Sequence, residues 1–82
     1  MIKSKFTIVT FYQFKKIHDI LIIKNELADF CKFNKIKGTI ILAEEGINGT
    51  IAGFNESIKK FEFHLLSLGF ANYNPKYSYS KF

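Results

Sequence analysis

Arginine and tryptophan are absent from these 82 residues, and cysteine, proline and methionine occur once each. Each gap closes off a class of chemistry. With one thiol, Cys31, no internal disulfide can form, and a reducing cytoplasm is the expected setting. Without arginine there is no planar fork for bidentate recognition of a phosphate or a guanine edge. No apolar run approaches the ~20 residues of a membrane span. The charged start Met1-Ile2-Lys3-Ser4-Lys5 leads into a run broken by Thr7, Thr10 and Gln13, with no small-residue cleavage site, so neither a secretory leader nor a membrane partner is expected. Two histidines, His18 and His64, with one cysteine lack the spacing of a zinc site, so no metal is expected.

What is present is lysine and phenylalanine. All twelve basic residues are lysines against seven acidic ones, a net charge of +5. Lysine is a hydrated point charge, fitted to diffuse contact with a phosphate backbone; equally, a lysine-rich chain reflects an AT-rich genome and a solvated surface. Residues 1–82 make one domain, and a chain of this size buries roughly 60–65% of the surface its unfolded form exposes. Ten phenylalanines with many isoleucines and leucines supply a core without disulfide or metal.

The periodicities give six elements. Phe6 to Tyr12 alternates Thr7, Val9, Phe11 against Phe6, Ile8, Thr10, Tyr12, a strand with apolar side chains on both faces. From His18 or Asp19 to about Asn34 the residues Ile20, Ile23, Leu27, Phe30 and Cys31 recur at helical spacing, with Asp19 placed to cap. Gly38 to Ala43 and Thr50 to Ala52 read as β-branched strands joined by Glu44-Glu45-Gly46-Ile47-Asn48-Gly49, in which Asn48-Gly49 carries the hairpin signature. Asn55 is a candidate N-cap for a helix striped by Ile58, Phe61, Leu65 and Leu68 and ended by Gly69. A last extended segment runs from about Asn72 to the carboxyl end, with Pro75 limiting its pairing.

Strand, helix, strand, strand, helix, strand is the split βαβ, or ferredoxin-like, order: an α+β fold with an antiparallel sheet and both helices on one face. If Ile40, Leu42 and Ile51 point to the helices, Thr39, Ile41, Thr50 and Ala52 form a second, mildly polar face expected to meet another domain or a ligand. The end of the chain at Phe82, with Tyr77 to Phe82 still reading as mid-domain, is expected to mark a fragment of a larger protein.

No residue set composes a catalytic centre. Glu44 and Glu45 are adjacent, but neighbours on an extended strand point apart, so a carboxylate pair is poorly placed, and Glu45 is expected to accept a hydrogen bond that fixes the turn. Gly46-Ile47-Asn48-Gly49 matches the Gly-x-x-Gly of KH domains but lacks the helical flanks; a structural hairpin and an anion-binding nest both remain open. Cys31 sits on an apolar stripe, where a buried thiol is inert. RNA-recognition domains share the topology but need a ring on the third strand, which Thr50-Ile51-Ala52 does not offer. Acylphosphatases need an arginine after the first strand, and there is none.

Phe11-Tyr12-Gln13-Phe14, Lys37-Gly38-Thr39-Ile40, Leu42 to Gly49 and Lys76 to Ser80 together resemble the amino-terminal, acylphosphatase-like domain of the bacterial tRNA uridine hydroxylases, also described as rhodanese-related sulfurtransferases. The resemblance implies a rhodanese domain following in the same chain, whose cysteine is not Cys31. It implies formation of 5-hydroxyuridine at the wobble position of tRNA, with molecular oxygen as co-substrate and no cofactor or catalytic residue in this fragment. The expected role is to hold the anticodon region or shape the interdomain site, with Tyr12, Lys37, Glu45, Asn48 and Lys76 near the functional surface and Tyr12, Tyr77 or Tyr79 stacking on an unpaired base. A structural or dimerising module, or a small-molecule sensor of the same topology, are the alternatives.

Overall fold

A computed structural model describes residues 5–80; what was expected of Met1 to Ser4 and of Lys81-Phe82 lies outside the described residues. The chain order is β1 (Phe6–Phe14), α1 (Ile20–Phe33), β2 (Lys37–Ala43), β3 (Gly46–Phe54), α2 (Asn55–Ser67) and β4 (Lys76–Ser80). The sheet runs β2-β3-β1-β4 with each neighbouring pair antiparallel. This is the ferredoxin-like α+β arrangement.

The alternation in β1 decides the layering. Thr7, Val9 and Phe11 are buried under the helices, while Thr10 and Tyr12 face away. Opposite them, Leu27 of α1 and Ile58, Phe61 and Leu65 of α2 join the core, which also takes in Ile47 and Ile51 of β3 and Ile17, Ile36 and Phe70 of the connections. The Phe11 and Phe61 rings lie 5.8 Å apart and tilted, and Phe30 meets Phe61 edge-on at 6.2 Å. Each fully buried side chain of this kind stabilises the fold by roughly 1.5–3 kcal/mol relative to exposure. Among the described residues Thr7 is the buried polar exception, and its hydroxyl donates to Asn55 Oδ1 at 2.7 Å.

Both helices end in the same way. At α2 the Phe70 N–H donates to the Leu65 carbonyl and the Gly69 N–H to the Leu66 carbonyl, with Gly69 at φ 94. That is the Schellman pattern, and buried Phe70 packs where the motif places its apolar residue. At α1 the Ile36 N–H bonds the Cys31 carbonyl and the Lys35 N–H the Lys32 carbonyl, with Lys35 at φ 56 in glycine's place.

Four local expectations are corrected. The β2–β3 turn consists of Glu44 and Glu45 alone, since Ala43 already pairs with Gly46. Asn48-Gly49 lies inside β3. Its glycine serves packing: Phe11 stands opposite Gly49 on the helix side, and its Cζ would lie 3.0 Å from an added Cβ. The turn is fixed by backbone, not by a Glu45 carboxylate: the Lys15 N–H donates to the Glu45 carbonyl and the Ile17 N–H to the Glu44 carbonyl, at 3.0 and 2.9 Å. Asp19 precedes α1 without a side-chain capping bond. Asn55 is the first residue of α2, and Phe54 holds the cap position; the asparagine side chain instead receives the Thr7 hydroxyl.

Candidate nucleic-acid interface

The sheet face turned away from the helices is open. Its registers form rows across the strands. Lys37, Ala52, Ile8 and Ser78 make one row; Thr39, Thr50, Thr10 and Lys76 the next; Ile41, Asn48 and Tyr12 the third; Ala43, Gly46 and Phe14 the last, beside the Glu44-Glu45 turn. Phe6 and Phe54 close the opposite end, their rings stacked at 5.0 Å. β3 therefore does carry a ring, Phe54, beyond the Thr50 to Ala52 span read from sequence. The described strands place two lysines and no acidic side chain on this face.

Tyr12 is held from both sides of its backbone. Its N–H donates to the Tyr73 carbonyl at 2.9 Å and its carbonyl accepts from the Asn74 side chain at 3.3 Å. The ring, 48% exposed, meets Phe14 edge-on at 6.0 Å. Asn48 lies directly across on β3. Two shallow depressions that share Tyr12, Ile41 and Asn48 run along the face; Glu45 and Phe14 edge one, and Thr10, Thr39 and Thr50 edge the other.

Of the five residues expected near the functional surface, Tyr12, Lys37, Asn48 and Lys76 all belong to this face and Glu45 borders it. They do not form one cluster. Tyr12 and Asn48 are cross-strand partners, and Lys76 is diagonal to Tyr12 at about 8 Å between Cα positions. Lys37 lies at the far corner, about 16 Å from Lys76 by strand spacing and rise.

Tyr77 and Tyr79 are on the other side. They pair with Val9 and Thr7, so they share the helix face, and their rings stack at 6.5 Å. Glu62 of α2 accepts from the Tyr73 hydroxyl at 2.7 Å and from the Tyr77 hydroxyl through the same oxygen. Burial, reinforced by the Glu62 carboxylate, pushes the Tyr73 phenol far above its ordinary value; for Tyr77 the bond to Glu62 leads and burial follows. Tyr12 and these tyrosines cannot hold one RNA segment together on a single face.

Other sequence candidates have structural places. β3 is an inner strand paired on both edges, so its amides are taken by the two ladders and Gly46 to Gly49 forms no anion nest. Cys31 is half-buried, and burial raises its pKa away from a reactive thiolate. His64 stacks on Phe30 at 4.6 Å with Nε2 3.8 Å from Glu26. The threonine row was not singled out by sequence reasoning. Its signal, a threonine near the middle of each of three strands, becomes readable only when the register is known.

An open-faced ferredoxin-like domain with basic, acid-free strands is the class this geometry defines. The chain belongs to the family described as UPF0176 acylphosphatase like domain, whose model matches residues 6–82. It is 42% identical over 77 residues to the tRNA uridine(34) hydroxylase of Anaplasma phagocytophilum (strain HZ), covering 92% of this chain and 27% of that protein. The protein of the same name from Prochlorococcus marinus (strain NATL2A) is 45% identical over 82 residues, 96% of this chain and 26% of that one. Ehrlichia ruminantium (strain Welgevonden) has another, 49% identical over 63 residues, 77% of this chain and 23% of its own length. The chain thus spans about a quarter of the length of these relatives. The family resemblance drawn from Phe11 to Phe14 and the hairpin agrees with these matches.

Proposed function

We propose that this chain is the amino-terminal, substrate-positioning domain of a cytoplasmic, oxygen-dependent enzyme that hydroxylates the wobble uridine of tRNA to 5-hydroxyuridine. A rhodanese domain follows it in the same polypeptide and supplies the reactive centre; this domain alone is inert. The open sheet face contacts the anticodon region, with Lys37 and Lys76 against phosphates and Tyr12 beneath an unpaired base. The carrying observation is the shared name of relatives that match 77–96% of the chain. The acid-free strands of this face add physical support, because lysines among hydroxyls and rings attract a phosphate backbone without reading sequence.

The test is nucleoside mass spectrometry of tRNA from cells whose sole copy of the full-length gene carries Tyr12→Ser together with Lys76→Gln. The 5-hydroxyuridine content should fall at least tenfold, while Tyr79→Ser leaves it unchanged. Normal modification in the double variant would end the proposal.

A second reading rests on the turn end of the face. Phe14 and Ile41 are 84% and 55% exposed there, side chains better suited to a protein neighbour than to water. On this reading the turn end seats the following domain and the remainder of the face receives RNA. Hydrogen exchange on the full-length protein should show Phe14 and Ile41 amides protected before RNA is added, relative to the isolated chain.

A further inference from the structure

We infer that the row Thr39, Thr50 and Thr10 is a ribose reader, which makes the open face select RNA over DNA of the same sequence. The inference rests on the RNA-contacting role proposed above and adds what part of the nucleotide these residues recognise.

Three observations support it. The register sets the three threonines side by side on neighbouring strands, with Lys76 ending the row on β4 and Lys37 one row away on β2. All three are exposed. Thr10 Oγ1 and Thr50 Oγ1 lie 3.2 Å apart and share one hydrogen bond, which orients both hydroxyls and still leaves a proton and lone pairs for a ligand. The row also borders the depression that contains Tyr12 and Asn48.

The chemistry follows from what a hydroxyl row can distinguish. A threonine hydroxyl both donates and accepts, as does the ribose 2′-hydroxyl, and that group is what separates RNA from DNA at a given site. Lysines at the two flanks hold phosphates of an unpaired segment lying across the strands, which brings its sugars over the middle of the row. Lysine alone cannot make this distinction, because DNA presents the same phosphates. A Thr-Thr hydrogen bond across strands also stabilises a sheet; valine removes that bond but keeps the β-branched shape that suits a strand.

The experiment uses the full-length protein and fluorescein-labelled single strands, a seven-nucleotide oligouridine and its deoxyuridine counterpart, with affinity read by anisotropy at low salt. Wild type should prefer RNA at least fivefold. The Thr10→Val/Thr39→Val/Thr50→Val variant should lower RNA affinity to the DNA value and leave DNA affinity unchanged. Serine at the three positions should restore the preference, with thermal melting checking that each variant is folded. Equal wild-type binding of RNA and DNA would overturn the ribose reader while leaving RNA contact intact, as would an undiminished preference in the valine variant. A wild-type protein that binds neither strand nor tRNA would remove the parent reading as well.

Discussion

At Gly49 a side chain has been given up for the benefit of its neighbour. A Cβ there would lie 2.7 Å from the Thr39 carbonyl oxygen and 3.0 Å from Phe11 Cζ, the first against rigid backbone and the second against a ring buried under both helices. Gly49→Ala should therefore destabilise the domain by about 1–3 kcal/mol, the usual cost of forcing atoms into a packed core, seen as a lower urea midpoint at unchanged slope. The Glu62 cluster makes a prediction of opposite character. Tyr73 and Tyr77 have folded pKa values raised above their unfolded value of about 10, so their stabilisation is complete below that pH and is lost as pH climbs through the folded values. Thermal stability should fall from about pH 10 upward, and the fall should be shallower in Tyr73→Phe than in wild type.

The two helix ends offer a comparison within one molecule. α2 closes on Gly69 and α1 on Lys35, both in the left-handed region, and only the second strains its Cβ. Lys35→Gly should raise stability by about 0.5–1 kcal/mol, read as a higher melting temperature, because the Schellman bonds stay and the steric cost goes. The same comparison explains what was legible in the sequence. Gly69 announced its cap because glycine is the usual residue there, and the stripes Ile20 to Cys31 and Ile58 to Leu68 announced their helices by spacing. Lys35 gave no such sign. Asn48-Gly49 gave a false one, since a dipeptide that favours a tight turn also suits a strand position where a neighbouring ring needs room. The two faces of β1 and β2 were readable from alternation, but their registers were not, because pairing depends on where the turn falls. A four-residue error in the turn moved Asn48 from a loop to the partner of Tyr12.

On the scale of the whole molecule the sheet has two unlike edges. β4 is five residues long and mostly exposed, and among the described strands it pairs only with β1. On the helix side the Tyr77 hydroxyl ties it to Glu62. Amides of Lys76 to Ser80 should exchange fastest among the strands in hydrogen-exchange experiments, and faster again in Glu62→Ala, while those of β3 stay slow. If Lys76 takes part in binding, RNA should slow β4 exchange selectively, tying the stability of that edge to occupancy of the open face.

The bonds from Lys15 and Ile17 to the carbonyls of Glu45 and Glu44 anchor the β2–β3 bend along the exit of β1. A bend stitched down in this way cannot sweep over the sheet as a flexible finger. Lengthening it by even a few residues would unpick the continuation of β1, so loop grafting in this family should be tolerated poorly at Glu44-Glu45 although both residues are exposed.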